Sequence, residues 1–254
     1  MVSPVTFDLS HDVALVTGAS SGLGARFAGV LAEAGAKVVI AGRRLDRLRE
    51  VAEKIAAKGG RAYPLVLDVT QTSALGSAID EAEKLAGNLS VLVNNAGMNV
   101  LTSASALGEA DYDRIMNTNL KAAFFMTQAV GTRMVQRKVR GRIINIASIG
   151  AFKALPGLVA YSMSKAAIAM MTKGFAREWA RHNIAVNALC PGYIKTELND
   201  EWFDSEGGQK QIAGFPRRRL LEAQSLDATL LTLASAHAAY ITGSLITVDD
   251  GQLL

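Results

Sequence analysis

Seven short apolar runs, most rich in β-branched residues, recur along the chain at residues 13–17, 37–41, 62–66, 90–93, 142–147, 184–189 and 244–248. The stretches between them carry helical spacing. Strands that are apolar throughout, rather than alternating, are buried on both faces, and strand–helix alternation calls for parallel pairing with crossover helices. The pattern therefore predicts an α/β fold: a doubly wound, seven-stranded parallel sheet in one Rossmann-like domain spanning residues 1–254. Ligands in such sheets sit at the carboxyl ends of the strands. The candidate chemistry collects there: Gly18 after the first run, Arg43 after the second, Asp68 after the third, Asn94-Asn95-Ala96-Gly97 after the fourth, Ser148 after the fifth and Pro191-Gly192 after the sixth.

Composition narrows the class. A chain of 254 residues with 50% hydrophobic content can bury a large core, and no linker, repeat or low-complexity tract divides it. The N-terminus lacks a signal-peptide pattern and no segment approaches the ~20 apolar residues of a membrane span, so a cytoplasmic protein without membrane contact is expected. Cys190 stands alone and His11, His182 and His237 are scattered, which argues against a disulfide and against a metal site. A net charge of +4 suits anionic small ligands better than nucleic acid.

The first strand runs into Gly18-Ala19-Ser20-Ser21-Gly22-Leu23-Gly24 and then into a helical pattern. Strand, glycine turn and helix open a dinucleotide-binding unit, here spaced G-x-x-x-G-x-G. Gly18 would allow the turn, Gly22 a close approach of backbone to pyrophosphate, and Gly24 tight packing of the new helix, whose free N–H groups face phosphates. The second strand ends in Arg43-Arg44 instead of the acidic residue that would hold a ribose hydroxyl and repel a 2′-phosphate. This favours NADP(H), with NAD(H) possible. The same RRLDRLRE stretch also reads as a solvated first helical turn, with Arg43 on the ligand and Arg47 and Arg49 in water.

Tyr161 and Lys165 lie four apart in YSMSK and so share one helix face. A cation fixed beside a phenol lowers its pKa and makes it a usable acid/base near neutrality. Ser148, just past IINIA, would place a hydroxyl on the same substrate oxygen.

TGASSGLG, LDVT, NNAG, the Asn of MNTNL, INIAS, YSMSK and PGYIKT follow one another over residues 10–251 in the order and approximate spacing of the short-chain dehydrogenase/reductase family, which the chain resembles. The resemblance implies Tyr161 as catalytic acid/base, Lys165 as the group that lowers its pKa and holds the nicotinamide ribose, Ser148 as the hydroxyl on the carbonyl, and Asn119 as a fourth member that helps hold a water linking Lys165 to solvent. It implies cofactor contacts from Gly18, Ser20, Ser21, Gly22, Leu23, Gly24, Gly97, Pro191 and Gly192, from Asp68 and Val69 at the adenine, from Asn95 and Ala96 along the adenosine ribose side, and from Ile194 and Thr196 at the nicotinamide carboxamide.

The segment at about 197–219, with Trp202, Phe203, Gly207-Gly208 and a basic run, fits a lid over the substrate, and equally an irregular helix pair with core aromatics. The chain's ending is similar to 3-oxoacyl-carrier-protein reductases. An acyl carrier is therefore a possible partner, with Arg177, Arg181, His182 and residues 137–142 as its basic surface. Reduction of a simple ketone or aldehyde, or oxidation of the alcohol, remains the first expectation; a non-catalytic NADP-binding sensor is disfavoured because Ser148, Tyr161 and Lys165 are all present. The helical stretches 120–135 and 166–180 are apolar on more than one side and need a second partner. In the resembled family these two helices join subunits, so a homotetramer, or at least a dimer, is expected.

Overall fold

The computed structural model describes residues 6–195 and 200–254. Strands β1 (Val13–Thr17), β2 (Lys37–Gly42), β3 (Arg61–Val66), β4 (Val91–Asn94), β5 (Arg142–Ile146), β6 (Ala185–Pro191) and β7 (Leu245–Val248) form one sheet in the order β3-β2-β1-β4-β5-β6-β7. Every pairing is parallel. The expected runs differ from these strands by a residue or two at their ends. The largest difference is β6, which continues to Pro191, paired with Val248, because a proline is tolerated at the very end of a strand.

Alternation along the strands sends side chains to two separate cores. Ala14 and Val16 of β1 and Val38 and Ile40 of β2 pack with Phe27 and Leu31 of α1 (Gly22–Glu33) and with Leu230 and Leu233 of α9 (Asp227–Ala234). Leu15 and Val39 face the other way, against Ile79 of α3 (Leu75–Ala86), Met126 and Val130 of α5 (Ala122–Arg137) and Phe175 of α6 (Val159–Trp179). Strands sandwiched in this way must be apolar on both faces, which is why they read as continuous runs. Helices α2 (Leu45–Ala56) and α4 (Glu109–Met116) complete the layers.

At the amino ends of β1, β4 and β5 the sheet is tied by charge. Asp12 accepts hydrogen bonds from Arg142 and from Ser90, each at 2.7 Å, and Ser90 Oγ accepts the Val13 N–H at 3.1 Å. The order of the strands reverses between β1 and β4, so the crevice lies at their carboxyl ends, on the opposite side of the molecule from this cluster.

The region read as a lid contains α7 (Asp200–Asp204) and α8 (Glu206–Ala213). Gly207 and Gly208 lie in the first turn of α8, and a Cβ on Gly208 would be 2.0 Å from the Trp202 carbonyl oxygen. Phe203 is buried while Trp202 is half exposed, so only one of the two aromatics is core.

Candidate active site

The glycine turn and the NNAG strand end are fastened to each other. Asn95 Nδ2 donates to the carbonyls of Thr17 (3.0 Å) and Gly18 (3.2 Å), and Thr17 Oγ1 accepts the N–H groups of Asn95 and Ala96, both at 3.1 Å. A Cβ on Gly24 would lie 2.3 Å from Gly18 O, and one on Gly18 would lie 2.9 Å from Ala96 Cα. Gly22 differs: its φ of +56° excludes most side chains, yet nothing lies within 4 Å of where its Cβ would be. The turn is therefore packed on its inner side and open over the N-terminus of α1, a cradle into which a pyrophosphate fits.

The two arginines after β2 divide. Arg44 Nη2 donates to Ser20 Oγ and Ser21 Oγ, each at 3.2 Å. Arg43 instead lies toward Asp68, whose carboxyl is held below the usual range mainly by the Thr70 hydroxyl (2.7 Å), with Arg43 as a smaller influence. Sequence reading favoured Arg43 as the ligand residue; Arg44 is the one that reaches the glycine turn.

Ser148 leaves β5 in extended conformation, its Oγ accepting the Gly150 N–H at 3.0 Å. Tyr161 is in the first turn of α6 and Lys165 one turn later, with Nζ 5.5 Å from the centre of the Tyr161 ring. Lys165 is 4% exposed and donates to the Ile146 carbonyl at 2.8 Å. Burial brings its pKa down to about 8. Burial also raises the Tyr161 phenol, and a hydrogen bond with Ser148 offsets only part of that rise. The net direction for the Tyr161 phenol is upward, with burial as the largest influence.

Asn119 lies in a π-helical turn, Asn117–Lys121, between α4 and α5. Such turns add a residue to a helix and redirect a side chain. Its amide is fully buried, accepting the Met98 N–H (2.8 Å) and donating to Met98 O (2.9 Å) and Ser164 Oγ (3.0 Å). Ser164 Oγ in turn donates to the Tyr161 carbonyl at 2.7 Å. Gly97 lies beside both: a Cβ there would be 3.4 Å from Asn119 Oδ1 and 3.6 Å from Lys165 Nζ.

Sequence reading missed a buried polar ladder beneath these groups. Asn94 donates to Thr127 (2.7 Å) and Asn145 (2.9 Å), and Asn145 donates to Thr172 (2.9 Å), joining β4, β5, α5 and α6. Its one signal is an Asn inside the apolar run IINIA. It also missed Tyr193. The backbone N–H of this residue donates to Gln252 Oε1 at 2.6 Å, and its ring stacks on Phe215 at 5.5 Å and meets Phe203 edge-on at 5.6 Å. Gly192 has no room for a side chain, which would fall 2.5 Å from Gln252 Oε1. Ile194 bridges to Leu221, and Thr196 lies outside the described residues. Cys190 is a buried small residue whose thiol burial pushes up to about 11, leaving it uncharged.

The family model for short chain dehydrogenase matches residues 12–207. The chain belongs to the short-chain dehydrogenase family. It is similar to gluconate 5-dehydrogenase of Gluconobacter oxydans, 35% identical over 99% of this chain and 98% of that one. A 3-oxoacyl-[acyl-carrier-protein] reductase of Thermotoga maritima is 31% identical over 97% of this chain and 99% of that one. A solved gluconate 5-dehydrogenase of Burkholderia cenocepacia, in complex with NADP and tartrate, superposes with a TM-score of 0.92 at 35% identity, covering 97% of this chain and 96% of that one. As a short-chain dehydrogenase the chain is an oxidoreductase acting on CH–OH and C=O groups. Among the described residues no helix is long and apolar enough to cross a membrane, and no group of three or more His, Cys, Asp or Glu side chains could hold a metal ion.

Proposed function

We propose that this protein is a cytoplasmic NADP(H)-dependent oxidoreductase that interconverts a ketone or aldehyde and its alcohol, with Ser148, Tyr161 and Lys165 at the reacting carbon. The observation that carries the reading is the joint placement of a half-buried Tyr161 and a buried Lys165 on α6, a serine just past the end of β5, and an open glycine turn at the end of β1 in one crevice.

The residues present fit the cofactor. Gly18, Ser20, Ser21, Gly22, Leu23 and Gly24 would cradle the pyrophosphate and Arg44, with Arg43 beside it, the 2′-phosphate. Asp68 and Val69 would meet the adenine, Asn95 and Ala96 the adenosine ribose side, and Ile194 the carboxamide, with Gly97, Pro191 and Gly192 also along the cofactor. NADP(H) supplies or takes up the hydride when bound. In reduction, Ser148 and Tyr161 both hydrogen-bond the substrate oxygen and Tyr161 O–H delivers its proton there as the carbonyl carbon is reduced; in oxidation the proton returns to Tyr161. Lys165, held by the Ile146 carbonyl, keeps a proton next to Tyr161 below about pH 8. Asn119 fixes α6 to the NNAG turn and so sets the position of that pair.

Support for NADP(H) comes from Arg43-Arg44 directly after β2 where an acidic residue would hold a ribose hydroxyl, from Arg44 on the glycine-turn serines, and from the NADP-bound Burkholderia relative. The test is oxidation of NADPH and NADH with a panel of ketones, aldehydes and a 3-oxoacyl thioester. Turnover with NADPH on ketones supports the reading. Turnover confined to the thioester replaces it with the acyl reductase the Thermotoga relative suggests, and failure to bind either nucleotide contradicts it.

A further inference from the structure

The segment after β7 folds back on the strand end next to it, and one buried side chain there ties several parts of the crevice together. Asp249 shapes the fold-back: its carboxylate accepts the N–H groups of Gly251 (3.2 Å) and Leu253 (2.9 Å), and its carbonyl accepts that of Gln252 (3.0 Å). Gln252 is 2% exposed, and both ends of its amide are used. Oε1 accepts the Tyr193 N–H at 2.6 Å, and Nε2 donates to the Arg219 carbonyl at 3.4 Å. The main-chain carbonyl of Gln252 accepts a third bond, from Lys153 Nζ at 3.2 Å. A Cβ on Gly192 would fall 2.5 Å from Oε1, so the amide is packed against the backbone it holds.

The partners of Gln252 come from three stretches of chain. Lys153 belongs to the turn that Ser148 caps, its N–H donating to the Ile149 carbonyl at 3.1 Å. Gly192 and Tyr193 leave the end of β6, the strand beside β5. Arg219 follows α8 and is two residues from Leu221, whose N–H meets the Tyr193 carbonyl at 2.9 Å. The sheet itself does not depend on this junction, because β6 and β7 are already paired through Ala188–Pro191 and Leu245–Val248. What Gln252 adds is a fixed relation between the loop that carries Ser148 and the backbone just past β6.

Building on the oxidoreductase reading above, we propose that Gln252 is a positioning residue for hydride transfer: it sets the separation between the Ser148 side of the crevice, where the carbonyl carbon would lie, and the Gly192–Ile194 side, where the nicotinamide would lie. Misplacing reacting groups by about 1 Å can cost on the order of 10²-fold in rate. NADP(H) would be held chiefly by the glycine turn and Arg44, at the ends of β1 and β2, so loosening the β6 end slows the transfer and leaves nucleotide affinity nearly intact.

The test is the single-turnover rate of oxidation of enzyme-bound NADPH, counted per NADPH bound, with whichever carbonyl compound of the panel above the wild type reduces fastest. Gln252→Leu, similar in size but unable to hold the Tyr193 N–H or the Arg219 carbonyl, is expected to lower that rate roughly tenfold or more, while Kd for NADPH by fluorescence stays within about threefold of wild type. A purely structural role would lower Tm or the yield of folded enzyme and leave the rate per bound NADPH unchanged, which would overturn the proposal, as would a loss that lies wholly in NADPH affinity. Lys153→Met, a change at an exposed side chain, should lower the same rate by about threefold; if Gln252→Leu fails to fold, an unchanged rate in Lys153→Met overturns the proposal in its place. All these outcomes leave the oxidoreductase reading standing. Wild-type enzyme that reduces no carbonyl of the panel overturns that reading and this proposal together.

Discussion

At Lys165 burial and chemistry pull in opposite directions. Its folded pKa of about 8 lies below the ordinary 10.5, so below pH 8 the folded chain holds a charge it would rather not bury. A depression of that size corresponds to about 3 kcal/mol of lost stability. The unfolded chain binds the extra proton between pH 8 and 10.5, so the loss is complete below 8 and fades as pH rises through that window. Lys165→Met should therefore raise Tm at pH 7, with the gain shrinking toward pH 10 in a series of thermal melts, while turnover collapses. A lower Tm at pH 7 would mean that the bond to Ile146 outweighs the cost of burial. For the cofactor, Arg44→Ala should raise KM for NADPH roughly tenfold or more, as loss of a charged hydrogen bond implies, and leave NADH little changed; Arg43→Ala should do less. Equal effects on the two nucleotides would remove Arg44 from the 2′-phosphate. The choice between these neighbours was not legible in the sequence, since both arginines follow the same strand and only the direction of the chain into α2 separates them. Tyr161 and Lys165 were legible because residues four apart share a helix face, and Ser148 because it follows the strand-type run IINIA. The bracing of Tyr193 was not, because Phe215 and Gln252 are distant in sequence.

The elements were read well wherever burial on two faces forces a continuous apolar run, as in β1, β2 and β5. At α7 and α8 the sequence left a glycine-bearing lid and an irregular helix pair open, and the described residues there form two short helices. In the structure Gly207 and Gly208 admit a tight corner, with Ser205 Oγ capping α8 through the Gly208 N–H at 3.2 Å. Gly208→Ala should thus destabilise the pair, visible as earlier proteolysis between residues 200 and 214, whereas a real hinge would tolerate the change. The Asn119 turn was likewise invisible, because a single π-helical insertion leaves no mark on hydrophobic period. At the far end of the sheet, the Arg142–Asp12 pair joins β5 to the residue before β1 and is largely buried. Arg142→Ala should cost about 1.5–3 kcal/mol in urea unfolding with kcat/KM unchanged, since Asp12 loses a charged hydrogen bond far from the crevice. Loss of activity without loss of stability would contradict that separation.

For the molecule as a whole, the two cores explain the single domain, and the reversal of strand order explains where the site lies. The outer faces of α5 and α6 are less settled by the fold: Phe124, Met163 and Met170 are exposed, the last at 66%, while Phe124, Phe175 and Trp179 form a row of rings with centres 5.1 and 4.6 Å apart. We propose that a second copy of the chain covers this face, so that light scattering should give a tetramer, or at least a dimer, that Met170→Glu weakens; a monomer would refute it. The account rests most heavily on one convergence, that of Tyr161 with Ser148, Lys165 and the glycine turn. Its most direct test is the rate of NADPH oxidation with a ketone in wild type and Tyr161→Phe, alongside NADPH binding by fluorescence. The account predicts that binding persists while turnover falls by a factor of about 10² to 10⁴. Turnover within a few fold of wild type would show that the proton comes from elsewhere.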